Sequence, residues 1–232
     1  MPVLIYMDLA LSPKEAIALQ KELCERVRLT QLTKPVSLIG GADVSMNRFA
    51  KEGFGGFVTL TYPELSLVDE SVTHSDIPFP YIPGLLSFRE IPMLLSAWER
   101  LATKPDVLMV DGIGIAHPRR FGIASHLGLI LNLPTIGCAK SVLVGTYEDP
   151  PNERGAYSHL THNNEVVGAA VRTKPNVKPV FVSPGHLITL EESIELVMKT
   201  NLRHRLPEPT RQAHNAVNRH RVAFIEDTGL LA

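Results

Sequence analysis

The sequence predicts an α/β fold, with one mixed β-sheet and flanking helices. Three observations carry this. Three strand-like segments with short connections come first, which suits antiparallel neighbours. A continuous apolar run, a helix and a second short apolar run then form a β-α-β unit. Amphipathic helices fill the remaining intervals, giving a layered architecture. No repeat, low-complexity tract or linker divides the 232 residues, so residues 1–232 are read as one domain.

A helix is expected from Ser12 to Val27. Ser12 precedes Pro13 and stands three residues before Glu15, and Leu19, Leu23 and Val27 recur on one face. Strands follow at Val36–Asn47, Phe57–Tyr62 and Ser66–Thr73. After a proline-rich loop, a helix runs from Pro92 to Thr103 with Ile91, Leu94, Leu95, Trp98 and Leu101 on its apolar face. Val107–Val110 is apolar throughout, as in a strand buried on both sides. A helix near Gly122–Leu131 and a strand at Thr135–Cys138 complete the β-α-β unit. Tyr157–Leu160 and Val166–Arg172 read as a hairpin, and Val180–Ser183 as a further strand. A helix starts at Thr189, with Glu191 and Glu192 favouring its first turn. The last helix begins after Pro207 and Pro209 and runs past His214.

Bulk composition excludes little. The hydrophobic fraction is 44%, the charged fraction 20% and the net charge −1, so no overall balance announces a partner. Cys24 and Cys138 read as buried small hydrophobes, and no Cys/His spacing suggests zinc. Residues Met1 to Ala10 lack a signal-peptide pattern, and Leu127–Cys138 is too short to span a bilayer. A cytoplasmic location is the expectation. A serine-nucleophile elbow and a P-loop are both missing, and Gly112-Ile113-Gly114 lacks the third glycine of a dinucleotide fingerprint.

The acids are more informative. Asp43 lies among apolar or tiny neighbours in Gly41-Ala42-Asp43-Val44. A carboxylate there is costly to desolvate unless it is paired or holds a metal, or else it faces water on an edge strand. Asp111 ends the Val107–Val110 run, where α/β sheets place ligands, and Gly112 and Gly114 let backbone pass close to a substrate. Glu90 closes Ser87-Phe88-Arg89-Glu90, which fits a capping box, yet Pro92 fits the first helical position and would put the cap at Ile91. Nothing in the composition singles out His214 among the nine histidines.

Pro80-Tyr81-Ile82-Pro83-Gly84 is stiff, with two prolines around an aromatic and a β-branched residue. Such a tip can enter a base stack, or it can tuck Tyr81 into the core. Positive charge gathers late, in Lys199, Arg203, Arg205, Arg211, Arg219 and Arg221, and again at Arg119 and Arg120. These clusters suit a phosphate-binding face or a solvated helix surface.

Taken together, these segments resemble endonuclease V. The matching stretches are Gly41–Val44, Pro80–Gly84 running into Ser87–Glu90, Asp111-Gly112 with Gly114–Arg120, Gly137-Cys138-Ala139-Lys140, Ser183–His186 and Leu206–Arg211. They cover nearly the whole chain. The resemblance implies a ribonuclease-H-like mixed β-sheet flanked by helices on both faces. It implies hydrolysis of the second phosphodiester bond 3′ to deoxyinosine in double- or single-stranded DNA, leaving 3′-hydroxyl and 5′-phosphate ends, with inosine in RNA as a further substrate class. By the same resemblance Asp43, Asp111 and Glu90 bind Mg2+, for which Mn2+ substitutes, and Lys140 and His214 complete the catalytic group. Pro80, Tyr81, Ile82, Pro83, His117 and Arg119 contact DNA, and Gly84, Gly122, Gly137 and Ala139 line the base pocket. A monomer is expected. One departure is Ile113, where the family more often carries a polar side chain, which bears on substrate contact or product retention. Two other readings compete: a protein that binds inosine without cutting, and a different nuclease on the same fold. The clustered acids argue against the first and the Pro-Tyr-Ile-Pro segment against the second.

Overall fold

The computed structural model describes residues 11–46, 52–77 and 79–228. The chain runs α1 (Pro13–Cys24), β1 (Leu38–Ser45), β2 (Glu52–Thr61), β3 (Leu67–Asp76), α2 (Ser87–Arg100), β4 (Val107–Val110), α3 (Ile123–Leu131), β5 (Thr135–Ala139), β6 (Tyr157–His162), β7 (Glu165–Val171), β8 (Val180–His186), α4 (Leu190–Lys199) and α5 (Glu208–Thr228). The strands form one sheet in the order β3-β2-β1-β4-β5-β8-β7-β6. β1 pairs antiparallel with β2 and parallel with β4, and β4 pairs parallel with β5. The sheet is therefore mixed, with three parallel strands at its centre.

Successive side chains of a strand point to opposite faces, and the core divides accordingly. Ile39, Val107, Met109, Ile136 and Cys138 pack with Ile194 and Val197 of α4 and Ala213 and Ala216 of α5. Ala42, Leu108 and Val110 pack on the other face with Ile91, Leu94 and Leu95 of α2 and Ile123 and Leu127 of α3. Helices thus cover both faces. Both cysteines are free, and burial pushes the Cys138 thiol up to about 12, leaving it inert at neutral pH. No helix of the described residues is long and apolar enough to cross a membrane.

Several boundaries differ from the sequence expectation for identifiable reasons. The capping box at Ser12 and Glu15 is formed, but α1 ends at Cys24 because Arg26 and Val27 bond three residues back, to Leu23 and Cys24, in a tighter final turn. β2 starts earlier than Phe57, across a glycine-rich stretch that local propensity disfavours. The glycines serve close packing: a Cβ on Gly55 would meet Met93 Cγ at 2.7 Å. The Asn47 end of the first expected strand lies outside the described residues. α2 starts at Ser87, not Pro92, and Pro92 lies inside it. Neither expected cap forms; Leu86 occupies the cap position in helical conformation, because the preceding turn already makes helix-like bonds from Phe88 to Leu85 and from Arg89 to Leu86.

Candidate active site

Three neighbouring parallel strands, β1, β4 and β5, end together. The register Ala42↔Val110, with the Asp111 amide donating to the Ala42 carbonyl at 2.9 Å, sets Asp111 beside Asp43. Both follow the alternation of Ile39, Val107 and Met109, so both carboxylates emerge on the α5 side. Lys140 follows Ala139 at the end of β5, and its ammonium donates to Asp111 Oδ2. Ligands collect at such strand ends in α/β sheets.

α5 brings the fourth member. It lies close on β1 because Gly41 has no side chain: a Cβ there would fall 1.9 Å from the Pro209 carbonyl oxygen. This approach lets His214 Nδ1 donate to Asp43 Oδ2 at 2.8 Å. One turn further along α5, Asn218 Nδ2 lies 3.0 Å from His214 Nε2, placed to donate to it and so to favour the tautomer with the proton on Nδ1. Asn218 has the i,i+4 spacing from His214 that places both on one helix face.

The electrostatics are those of acids held together against repulsion. Asp43 is only 7% exposed. Burial, then the Asp111 charge, pushes its carboxyl up to about 6, while the His214 hydrogen bond and the Lys140 charge pull it down. Glu90 enters from α2, in the first turn of that helix. Burial pushes it up to about 8, the Asp43 and Asp111 charges adding to the effect and the Arg89 charge opposing it. One ligand atom each from Asp43, Asp111 and His214 lies within 4.8 Å of the others. Two hard carboxylate oxygens in mutual repulsion fit a divalent cation, with His214 beside them to orient Asp43. Glu90 stands outside that close set and lines the adjoining cavity with Asp111.

That cavity, about 320 Å³, is walled by Leu86, Ile113, Phe121 and Ile123 with small residues between them. Gly84, Gly122 and Ala139 line it, and so does His117. Gly137 lies one layer below, where a Cβ would meet the Gly114 nitrogen at 2.4 Å, so it lets the 112–114 loop rest on β5. Gly84 adopts φ +79°, a conformation that suits glycine. Its carbonyl accepts from Gln20 Nε2 at 3.0 Å, His117 Nε2 at 3.1 Å and Arg119 Nη2 at 2.6 Å. His117 and Arg119 thus turn inward and anchor the proline-rich loop. Burial, followed by the Arg119 charge, lowers His117 to about 4, so the ring is neutral. In the loop, Pro80 and Pro83 are exposed while Tyr81 and Ile82 are half-buried. Ile82 packs against the cluster of Phe79, Leu85 and Phe88, and the Arg89 guanidinium stands 6.0 Å from the Tyr81 ring centre.

Much of the basic charge in both clusters is already engaged. Arg211 pairs with Glu208 at 2.6 Å, Arg219 with Glu70 at 2.7 Å, and Arg120 with Glu165 at 2.8 Å. Arg205, which the sequence groups with the late basic cluster, has a structural part as well. It donates to the carbonyls of Lys140 and Pro179 at 2.7 Å and of Lys178 at 2.9 Å, clamping the backbone from which the Lys140 side chain springs. Nothing local in the sequence marks it, since its partners are 26, 27 and 65 residues away.

Comparison with known proteins agrees with this picture. The endonuclease V family model matches residues 21–215. The chain is 52% identical over 202 residues to an endonuclease V of Dictyoglomus turgidum, covering 87% of each chain. It is 50% identical over 208 residues to one of Myxococcus xanthus, covering 89% of this chain and 88% of that one. Among solved structures, endonuclease V of Streptomyces avermitilis superposes with a TM-score of 0.88 at 39% identity, covering 95% of this chain and 96% of that chain. Endonuclease V of Ciona intestinalis, in complex with a 24mer DNA containing an inosine followed by a ribo-adenosine, gives a TM-score of 0.75 at 30% identity, covering 91% and 98%. The mixed sheet with helices on both faces is the ribonuclease-H-like fold of these endonuclease V structures.

Proposed function

Because the chain belongs to the endonuclease V family, we propose that it is a metal-dependent endonuclease that recognises deoxyinosine in DNA and hydrolyses the second phosphodiester bond on its 3′ side, leaving 3′-hydroxyl and 5′-phosphate ends. The observation that carries this is the meeting of Asp43, Asp111 and His214 at the edge of a 320 Å³ cavity. The whole chain is read as one domain, acting as a monomer in the cytoplasm.

Asp43 and Asp111 would hold Mg2+, with Glu90 as a further carboxylate of the site and Mn2+ able to substitute. A divalent cation so held polarises the phosphate and offsets charge on the leaving oxygen. His214 holds the Asp43 carboxylate in one orientation through its Nδ1 proton, and Asn218 keeps that tautomer. The Lys140 ammonium, beside Asp111, would take a phosphate oxygen. Gly84, Gly122 and Ala139 leave room for a flat base, and Gly137 lets the loop above it sit low. Extruding a base costs a few kcal/mol, and less for a weakly paired one. Tyr81 and Ile82, stiffened by Pro80 and Pro83, would fill the gap left in the stack. His117 and Arg119 hold that wedge through the Gly84 carbonyl.

The test is cleavage of a duplex carrying one deoxyinosine, with Mg2+ or EDTA, by wild type and Asp43→Ala. A metal-dependent nick at the second bond 3′ to inosine, lost in the variant, is the expected result. Tight inosine binding without any nick would favour a non-cutting binder. Inosine in RNA is a second reading, supported by the ribo-adenosine that follows inosine in the Ciona intestinalis complex. Running an all-RNA inosine strand in the same assay decides between them.

A further inference from the structure

We infer that the DNA strand on the 3′ side of the cut lies in a second, basic groove beyond Lys140, held by Lys178 and Tyr147. This rests on the function proposed above. The groove measures about 620 Å³ and borders the base-sized cavity at Ser141 and Val142, which line both. Lys140 is one of its lining residues and reaches Asp111 with its ammonium. With inosine in the first cavity and the cut on its 3′ side at the acids, Lys140 marks one way out for the continuing strand.

The walls suit a phosphate chain. Lys140, Arg172, Lys178 and Arg205 face a single acid, Asp149. Arg172 is tied to Asp149 and to the Pro150 carbonyl, both at 2.8 Å, and Arg205 to three carbonyls, so both guanidinium groups are fixed in place. The three partners of Arg205 are neutral carbonyls and bring no opposing charge. Lys178 is exposed and forms no ion pair among the described residues. Tyr147 is 38% exposed and rests edge-on against Phe181, with ring centres 5.1 Å apart, which leaves a surface for a base to stack on. The competing way out runs along α5 past Asn218 and Arg219. There Arg219 is neutralised by Glu70 and Glu226 lines the same surface, so a strand of phosphates gains less.

The test is fluorescence-anisotropy binding of single-stranded oligonucleotides with one deoxyinosine. One set ends just past the cut, a second extends about ten nucleotides further 3′, and a third extends equally 5′ instead, a length typical of single-strand sites. Tyr147→Ala is expected to weaken the 3′-extended strand about 5-fold or more, the loss of one stacked base. Lys178→Ala is expected to lower the slope of log K against log salt by about 0.7 on that strand, the loss of one phosphate contact. Both effects should be confined to oligonucleotides whose 3′ arm reaches the groove. Equal losses on the 5′-extended strand, or no loss anywhere, would overturn the assignment. Lys178 is a surface residue, so its variant keeps the test decisive even if Tyr147→Ala melts early. Inosine preference of the wild type, measured against the adenine strand, tests the underlying function separately; its absence would sink both.

Discussion

Adding one methyl group at Gly41 is expected to cut activity sharply without altering a polar atom. The new Cβ would lie 1.9 Å from the Pro209 carbonyl oxygen and 2.3 Å from its carbon. Carbon and oxygen need about 3.3 Å, so roughly 1.4 Å of separation must open between β1 and the start of α5. The obstacle is backbone, which cannot swing aside like a side-chain tip. If half of that displacement travels one turn along α5, the His214–Asp43 bond stretches from 2.8 Å to roughly 3.5 Å, the limit of a hydrogen bond. Overpacking of this kind costs about 1–3 kcal/mol in stability. A displacement approaching 1 Å at a catalytic group costs about 100-fold in rate. Gly40→Ala is the matched comparison. Its Cβ would meet Pro105 Cγ at 2.6 Å and Leu108 Cδ1 at 3.0 Å, side-chain atoms on the opposite face from His214. Thermal melting and single-turnover nicking of an inosine duplex are then measured on both variants. Both should melt earlier, and only Gly41→Ala should lose most of its nicking rate. Equal rate losses, or a Gly41→Ala rate at the wild-type level, would show that the close approach of α5 does not set the His214 position.

Asn218→Ala removes the group that fixes the His214 tautomer, and loss of such an orienting partner lowers activity about 10- to 100-fold; inosine binding measured in parallel should hold, and a binding loss of equal size would assign Asn218 a different role. Arg205→Lys keeps the charge but not the fork that reaches three carbonyls, so the nicking rate should fall while the salt dependence of binding stays near wild type. The buried histidines make acid weaken the fold, against the raised Asp43 and Glu90 carboxyls, which act in the opposite sense over the same range. Burial lowers His126 to about 3, so below its ordinary 6.5 the unfolded chain takes up a proton that the folded chain refuses. Stability is then full above about pH 6.5 and falls towards pH 3 by about 1.4 kcal/mol per pH unit from this residue. His117 and His186, each lowered to about 4 chiefly by burial, steepen the loss down to that pH. Urea unfolding at pH 7 and 5 measures the slope, and His126→Leu should reduce it by one proton; an unchanged slope would place the linkage on other groups.

Much of the framework was legible because local chemistry determines it. Ser12, Pro13 and Glu15 carry the start of α1 in their own side chains, and Thr189 with Glu192 does the same for α4. The all-apolar run Val107–Val110 announces a strand buried on both faces, and an aspartate at its end announces a site. Family motifs extended this to Asp43, Lys140, His214 and the proline-rich loop. The start of α2 was misread because Pro92 looks like a first helical residue, whereas the turn before Ser87 already carries helical bonds. What only the tertiary structure decided is which of these groups meet. Asp111 meets Asp43 because β1 and β4 are parallel neighbours, and His214, 171 residues from Asp43, touches it because a bare glycine lets α5 approach. Asn218 and Arg205 matter through bonds that no local spacing specifies, and the bonds of His117 and Arg119 to the Gly84 carbonyl are equally invisible in the local sequence. A sequence displays the preferences of each segment for itself; the distances between segments far apart in the chain follow from how their faces pack, and those distances make the site.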